Sequence, residues 1–298
     1  MTDLYKNCLL CPRECGINRT KQKGYCKTSD KLIVARAALH MWEEPCISGD
    51  EGSGTVFFGG CSLRCIYCQN CEIRDGNTGK EITIERLAEI FTELQSQNAN
   101  NINLVTPTHY VPHIIKAIDI AKQQGLKIPI VYNTSGYEKP EIIELFKGYV
   151  DIFLTDFKYM YIQTAKEYSN APNYAEYAKK SLDTMVKHTG DAVFDERGIM
   201  QKGVIVRHLL LPNHLEESKE IVSYLYKTYK NNIFISLMNQ YTPMPQVANH
   251  SILSQKATEE EYNQLVDFAI DLGVENGFVQ EGETATESFI PPFDNQGV

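Results

Sequence analysis

Apolar and polar positions alternate along this chain in two rhythms. Short, nearly continuous apolar runs recur: TVFFGG (55–60), INLVT (102–106), IPIVYN (128–133), VDIFLTDF (150–157), GVIVRHLLL (203–211) and NIFISLMN (232–239). Between them, apolar residues return every three or four positions. Ile84, Leu87, Ile90, Phe91 and Leu94 mark one face of a helix running from Ile84 to about Gln97. Further helices are predicted over 111–124, 140–147, 174–188, 215–229 and 258–272. Strands apolar on both faces, alternating with amphipathic helices, signal a parallel sheet covered by helices. Six such units suit a (β/α)6 barrel fragment or an open doubly wound sheet. KLIVARAALHMW (31–42) is a further candidate strand.

This order places the polar residues. In parallel α/β folds, ligands gather at the C-terminal ends of the strands. A cysteine cluster begins directly after the first run. Thr106, Pro107, Thr108 and His109 follow the second, and Asn133, Thr134, Ser135 and Gly136 the third. Asp156 and Lys158 end the fourth, Arg207 and His208 lie late in the fifth, and Asn239 and Gln240 end the sixth. Asp156 and Lys158 are two apart and share a face. Each has a plainer reading. Asp156 and Lys158 suit a rim salt bridge, Thr106 and Thr108 a turn around Pro107, and 133–136 ordinary turn chemistry. His208 suits a satisfied core histidine. Arg207 is costly to bury alone and should meet an anion.

Composition changes the picture in two ways. A net charge of −9 and a pI near 5.4 give no support to nucleic-acid binding or to an anionic membrane surface. No apolar run approaches the roughly 20 residues of a membrane helix, and MTDLYKNCLLCPREC lacks the apolar core of a signal peptide. A cytoplasmic location is therefore expected. There the nine cysteines would stay reduced, and clustered thiols point to metal or redox chemistry. Cys8, Cys11, Cys15 and Cys26 form C-x2-C-x3-C-x10-C, with Pro12, Gly16 and Gly24 turning the chain. They read as a second metal site for zinc or a [4Fe–4S] cluster, or as a reduced cysteine-rich arm. Cys46 reads as a buried thiol. His40, Trp42, Glu43 and Glu44 read as packing of that arm. Glu281, Glu283 and Glu287 read as a solvated tail, with FIPPFD able to fold back as a lid.

GGCSLRCIYCQNC (59–71) carries the sharpest signal. Structural zinc takes four ligands, commonly from two separated knuckles. C-x3-C-x2-C instead gives three thiolates from one tight loop, enough for three corners of a cubic [4Fe–4S] cluster with the fourth iron open. A zinc site completed by Cys71 is the competing reading. GGCSLRCIYCQN resembles the signature of the radical S-adenosylmethionine (SAM) superfamily, with Tyr67 as its aromatic residue. NTSGY (133–137), TDFKYM (155–160) and IVRHLLLP (205–212) resemble segments of glycyl-radical-enzyme activases. CLLCPRECG, WEEPCISGDEGSGTVFF and FIPPFD resemble an uncharacterised group named after the pyruvate formate-lyase activating enzymes.

The resemblance implies a partial (β/α)6 TIM-like barrel over 51–279, a cysteine-rich extension over 1–50 and a tail over 280–298. It implies a [4Fe–4S] cluster on Cys61, Cys65 and Cys68, with Cys71 alongside. It implies SAM held by Asp156, Lys158, Asn133 and Thr134, with Arg207 and His208 on SAM or substrate. Reductive cleavage of SAM would give methionine and a 5′-deoxyadenosyl radical that takes hydrogen from a protein glycine, a peptide or a small molecule. Flavodoxin or ferredoxin would donate the electron. One departure stands out: where the family has Gly-Gly-Glu, this chain has Thr106-Pro107-Thr108-His109, so Thr106 and Thr108 are the candidates to replace it. The alternative is a zinc- or cluster-stabilised scaffold without turnover.

Overall fold

The apolar runs become the strands of one sheet. The computed structural model describes residues 2–280 and 291–298. Its strands are β1 (Leu32–His40), β2 (Ser53–Phe58), β3 (Lys80–Ile82), β4 (Ile102–Val105), β5 (Ile130–Thr134), β6 (Ile152–Asp156), β7 (Val193–Phe194), β8 (Met200–Leu209), β9 (Phe234–Met238) and β10 (Gly277–Val279). They lie side by side as β10-β9-β8-β6-β5-β4-β2-β1-β3, with β7 beside β8. The run from β2 to β10 is parallel. β1 pairs antiparallel with β2, and β3 with β1. The six predicted βα units are all present in the predicted order, and the sheet is an open, partial barrel.

Helices cover the outer face where the periodicity requires. Ile84–Ser96 buries Leu87, Ala88, Ile90, Phe91 and Leu94, and the Thr83 hydroxyl caps its N-terminus by accepting from Arg86 N–H at 3.1 Å. Glu259–Leu272 starts on a reciprocal capping box between Thr258 and Glu261. The predicted 140–147 helix is shorter. It is α-helical over Pro140–Ile143 and closes as a 3₁₀ turn, Glu144–Phe146. β8 starts three residues before the apolar run because β7 pairs with its first turn of chain, Val193 opposite Lys202. β3, β7 and β10 are too short for alternation to register.

Two features shape the lumen. The short helix Pro45–Ser48 plugs its base. Cys46 and Ile47 pack there against Val131, Ile152, Leu154, Met200 and Ile205. Burial pushes the Cys46 thiol up to about 12, consistent with an inert packed group. At the other end, β2 runs into Gly59-Gly60. Gly60 has φ +90°, and a Cβ there would come within 2.7 Å of the Cys26 carbonyl oxygen, so only glycine fits. The cysteine-rich arm therefore lies directly against the start of the C-x3-C-x2-C loop. Among the C-terminal residues described, Phe293 packs edge-on to Phe57 at 5.5 Å and Asp294 pairs with Arg36 at 2.8 Å. Glu281, Glu283 and Glu287, and the first residues of FIPPFD, lie outside the described residues.

Candidate active site

The mouth of the barrel opens into a cavity of about 570 Å³, within the usual range for ligand pockets. Cys61, Cys65 and Cys68 line it together, along with Thr106, Asn133, Thr134, Asp156, Lys158 and Arg207. Cys71 begins the short helix Cys71–Arg74 and is not part of the lining. The thiol loop is held from several sides. Arg74 Nη1 donates to Cys65 O at 3.0 Å, Gln246 Nε2 to Cys68 O at 3.0 Å, and Gln69 Nε2 to Gln240 O at 2.9 Å. Tyr67 is buried. Tyr159 Oη donates to its hydroxyl at 2.8 Å, and Tyr168 and Tyr241 meet its ring edge-on. These rings form a dry wall behind the sulfurs. Burial pushes the Cys61 thiol up to about 11 and raises Cys68 as well, so loading a metal here displaces protons.

All nine cysteines are free. Among the described residues, no three His, Cys, Asp or Glu side chains close around a single ion. A cubic cluster requires no such set, because each thiolate holds a different iron. Three free thiols on one loop, facing a cavity with an aromatic wall, fit a [4Fe–4S] cluster.

Below the sulfurs lies a half-buried ionic network that opens on the cavity. Asp156 Oδ2 pairs with Lys158 Nζ at 2.7 Å and Oδ1 with Arg207 Nε at 3.0 Å. Arg207 Nη1 pairs with Glu43 Oε2 at 3.0 Å, and Nη2 donates to Asn133 Oδ1 at 2.6 Å. Glu43 Oε1 accepts from Asn103 at 3.0 Å. Burial alone would raise the Asp156 carboxyl, but Lys158 and Arg207 more than offset it and hold it below its ordinary value. Tyr174 Oη accepts from Lys158 N–H at 2.8 Å and donates to Ser135 O at 2.7 Å, fixing the ends of β5 and β6. Gly136 completes that corner, because a Cβ at its φ of +77° would strike the Asp156 carbonyl.

Glu43 and Glu44 were expected as packing groups and are instead walls of the cavity. The plug helix Pro45–Ser48 explains this. It caps the base of the barrel and turns the two carboxylates up into the lumen. The available signal was Arg207 in an apolar strand, which called for an anion. Glu44 is 8% exposed, and its Oε2 has no hydrogen-bond partner among the described residues. Burial raises both carboxyls. Glu43, Glu44 and Asp156 face Lys158 and Arg207, so the network carries one carboxylate in excess.

Thr108 and His208 lie elsewhere. His208 follows Arg207 on β8, so strand alternation sends it to the opposite face. Its Nδ1–H donates to Phe157 O at 2.7 Å, and burial pulls it down to about 4, leaving a neutral ring. Thr106, at φ +58°, stays on the cavity. Thr108 begins a 3₁₀ turn and donates to Glu138 Oε1 at 2.5 Å, and Thr134 donates to the same oxygen. His109 Nε2 donates to Gly59 O at 2.8 Å, bracing the glycine turn.

Glu138, which the sequence did not single out, is fully buried, and burial pushes it up to about 7. Its ordinary value is 4.5. Between these values the native state keeps a proton that the unfolded chain has lost, so stability falls as pH rises through that window. The loss is on the order of 3 kcal/mol. Glu138→Gln should flatten the decline in thermal midpoint between about pH 5 and 8. A midpoint profile parallel to that of the wild type would refute this.

The chain is similar to known proteins in sequence and in fold. The family model described as the radical SAM superfamily matches residues 55–225. A protein of Methanocaldococcus jannaschii described as uncharacterised is 28% identical over 276 residues, covering 90% of this chain and 75% of that one. The pyruvate formate-lyase-activating enzyme of Clostridium pasteurianum is 27% identical over 206 residues, covering 67% and 78%. Among solved structures, the FeFe-hydrogenase maturase HydG of Carboxydothermus hydrogenoformans superposes with a TM-score of 0.51 at 10% identity, covering 77% of this chain and 53% of that one. It is a likeness of fold, and this chain spans about half the length of such structures. No helix among the described residues is long and apolar enough to cross a membrane.

Proposed function

The chain belongs to the radical SAM superfamily, and on that premise we propose that it takes a hydrogen atom from a protein or peptide substrate bound in the cavity. Membership implies SAM cleavage with an iron–sulfur cluster. When bound, a [4Fe–4S] cluster supplies one electron to the sulfonium of SAM, which parts into methionine and the 5′-deoxyadenosyl radical that accepts the hydrogen. The supporting observation is that Cys61, Cys65, Cys68, Asp156, Lys158, Asn133 and Arg207 line one cavity. Cys61, Cys65 and Cys68 would hold the cluster. Lys158, which lines the same cavity as the three thiols, would hold the carboxylate of SAM. Asn133 and Thr106, with the backbone of Thr134 at the strand end, would orient its methionine end. The excess carboxylate at Glu44 suits a cationic group on SAM or substrate. Tyr67 and Tyr241 would exclude water. The activating-enzyme relative supports a protein target, and flavodoxin or ferredoxin is the donor class proposed.

Lys158→Ala should keep its iron but bind SAM at least about tenfold more weakly, the cost of roughly one charge-assisted bond. Unchanged SAM affinity by calorimetry would remove Lys158 from the site. The reaction itself is tested by incubating reduced, iron-reconstituted protein with SAM and peptides or proteins carrying α-deuterated glycine. The proposal expects 5′-deoxyadenosine carrying deuterium. Release without deuterium from any peptidyl source would point to a small molecule. No release at all would favour a scaffold.

A further inference from the structure

Residues 2–31 contain no regular element beyond the 3₁₀ turn Thr2–Tyr5, yet they bury Cys8, Cys11 and Cys26, with Cys15 half-buried. The backbone folds back in tight turns around these thiols. Cys8 N–H donates to Ile17 O at 2.9 Å, Gly16 N–H to Cys8 O at 3.1 Å, and Glu14 N–H to Cys11 O at 3.0 Å. Tyr25 N–H points at Cys15 Sγ at 3.4 Å. A Cβ on Gly24 would lie 3.4 Å from Cys26 Sγ. A segment this short and irregular has little core of its own, and no disulfide cross-links it.

The second observation is a charge. Arg19 is 0% exposed. Its Nη1 donates to His109 O at 2.6 Å and its Nη2 to Thr28 Oγ1 at 2.9 Å and to Ser29 O. The aromatic faces of Tyr5 and Tyr110 flank it. Nε has no partner. Among the described residues no carboxylate pairs with this guanidinium, and every acceptor it meets is neutral. A buried cation in that position lacks the anion that normally offsets its desolvation. Thr28 Oγ1, which accepts from Arg19 Nη2, lies 3.2 Å from Cys26 Sγ, so one hydroxyl joins the guanidinium to the thiol group. Thiols supply that anion only when ionised, and these four stay ionised when they ligate a metal.

We propose that Cys8, Cys11, Cys15 and Cys26 bind a second, anionic metal–tetrathiolate centre, with Arg19 as its buried counter-cation. No three of these thiols close around one ion as they stand, which favours a [4Fe–4S] cluster, each thiolate on its own iron, over zinc; with either, four thiols would lose their protons and the centre would carry net negative charge toward the guanidinium. The site is distinct from the cavity trio but touches it. Cys26 O accepts from Cys61 N–H at 3.3 Å. Arg13, within the CPREC turn, donates from Nε to Ser62 O at 2.9 Å and from Nη2 to Leu63 O at 3.0 Å.

The test uses the full chain with the cavity trio removed, Cys61→Ala/Cys65→Ala/Cys68→Ala, purified anaerobically and offered zinc, or iron with sulfide. Elemental analysis should find about one zinc or about four irons per chain, which also identifies the metal. Adding Cys8→Ser/Cys11→Ser should abolish that retention. Arg19→Leu should lose the metal to a chelator at least about tenfold faster, and Arg19→Lys should restore most of the difference. If the triple variant does not fold, the same difference is read between wild type and Cys8→Ser/Cys11→Ser. Stoichiometric metal that survives Cys8→Ser/Cys11→Ser, or its absence from chains with the quartet intact, overturns the site. Chelator resistance unchanged in Arg19→Leu overturns the counter-cation. None of these readouts depends on SAM cleavage.

Discussion

Cys65→Ala, reconstituted with iron and sulfide, is expected to lose the cavity cluster and to release no 5′-deoxyadenosine above background. The side chain is buried at the centre of the loop, with Tyr159 Oη 3.6 Å from its sulfur. Its removal leaves two thiolates for a cluster that needs three protein corners. The nearest oxygens, the Tyr159 and Tyr67 hydroxyls, are hydrogen-bonded to one another, and as neutral phenols they are poor substitutes for a thiolate. Cys71→Ala is the matched control. It lies outside the cavity lining and should keep both iron and nucleoside release. Iron content, visible absorption and product release decide the matter together. If Cys65→Ala keeps its cluster, or if Cys71→Ala loses it, the ligand set is wrong and a zinc site completed by Cys71 gains ground.

Arg207→Leu is expected to be the most destabilising single change in the lumen. The guanidinium meets Glu43, Asp156 and Asn133 at once. Leucine leaves Glu43, Glu44 and Asp156 with Lys158 as their single cation. Breaking a buried pair by removing one partner typically costs about 3–5 kcal/mol, because the partner keeps an uncompensated charge. Urea unfolding should show that loss as a lower midpoint at constant slope. Arg207→Leu/Glu43→Gln should recover part of it, since the amide removes one stranded charge while Asn103 remains nearby. Additive losses in the double variant would mean that the two side chains are not coupled.

Local pattern carried much of this molecule. The six βα units were legible because strand and helix periods differ, and the helix over Ile84–Ser96 buries the face its spacing marked. The C-x3-C-x2-C loop was legible because its spacing is local. Asp156 and Lys158 followed from strand alternation, and Arg207 announced its need for an anion. Alternation could also have excluded His208, since neighbouring residues on a strand cannot both face the lumen.

What only the tertiary structure decided is who meets whom across long separations. Glu43 reaches Arg207 because Cys46 and Ile47 plug the far end of the barrel, a contact that no periodicity encodes. Thr108 and Thr134 converge on Glu138, and Arg19 and Cys26 meet at the Thr28 hydroxyl, only after the arm has packed on the strand ends. The sequence by itself determined the elements and the local thiol loop, because both depend on spacing within a few turns of chain. The burial that shifts Glu138, isolates Arg19 and leaves Glu44 one acceptor over is a property of the closed interior.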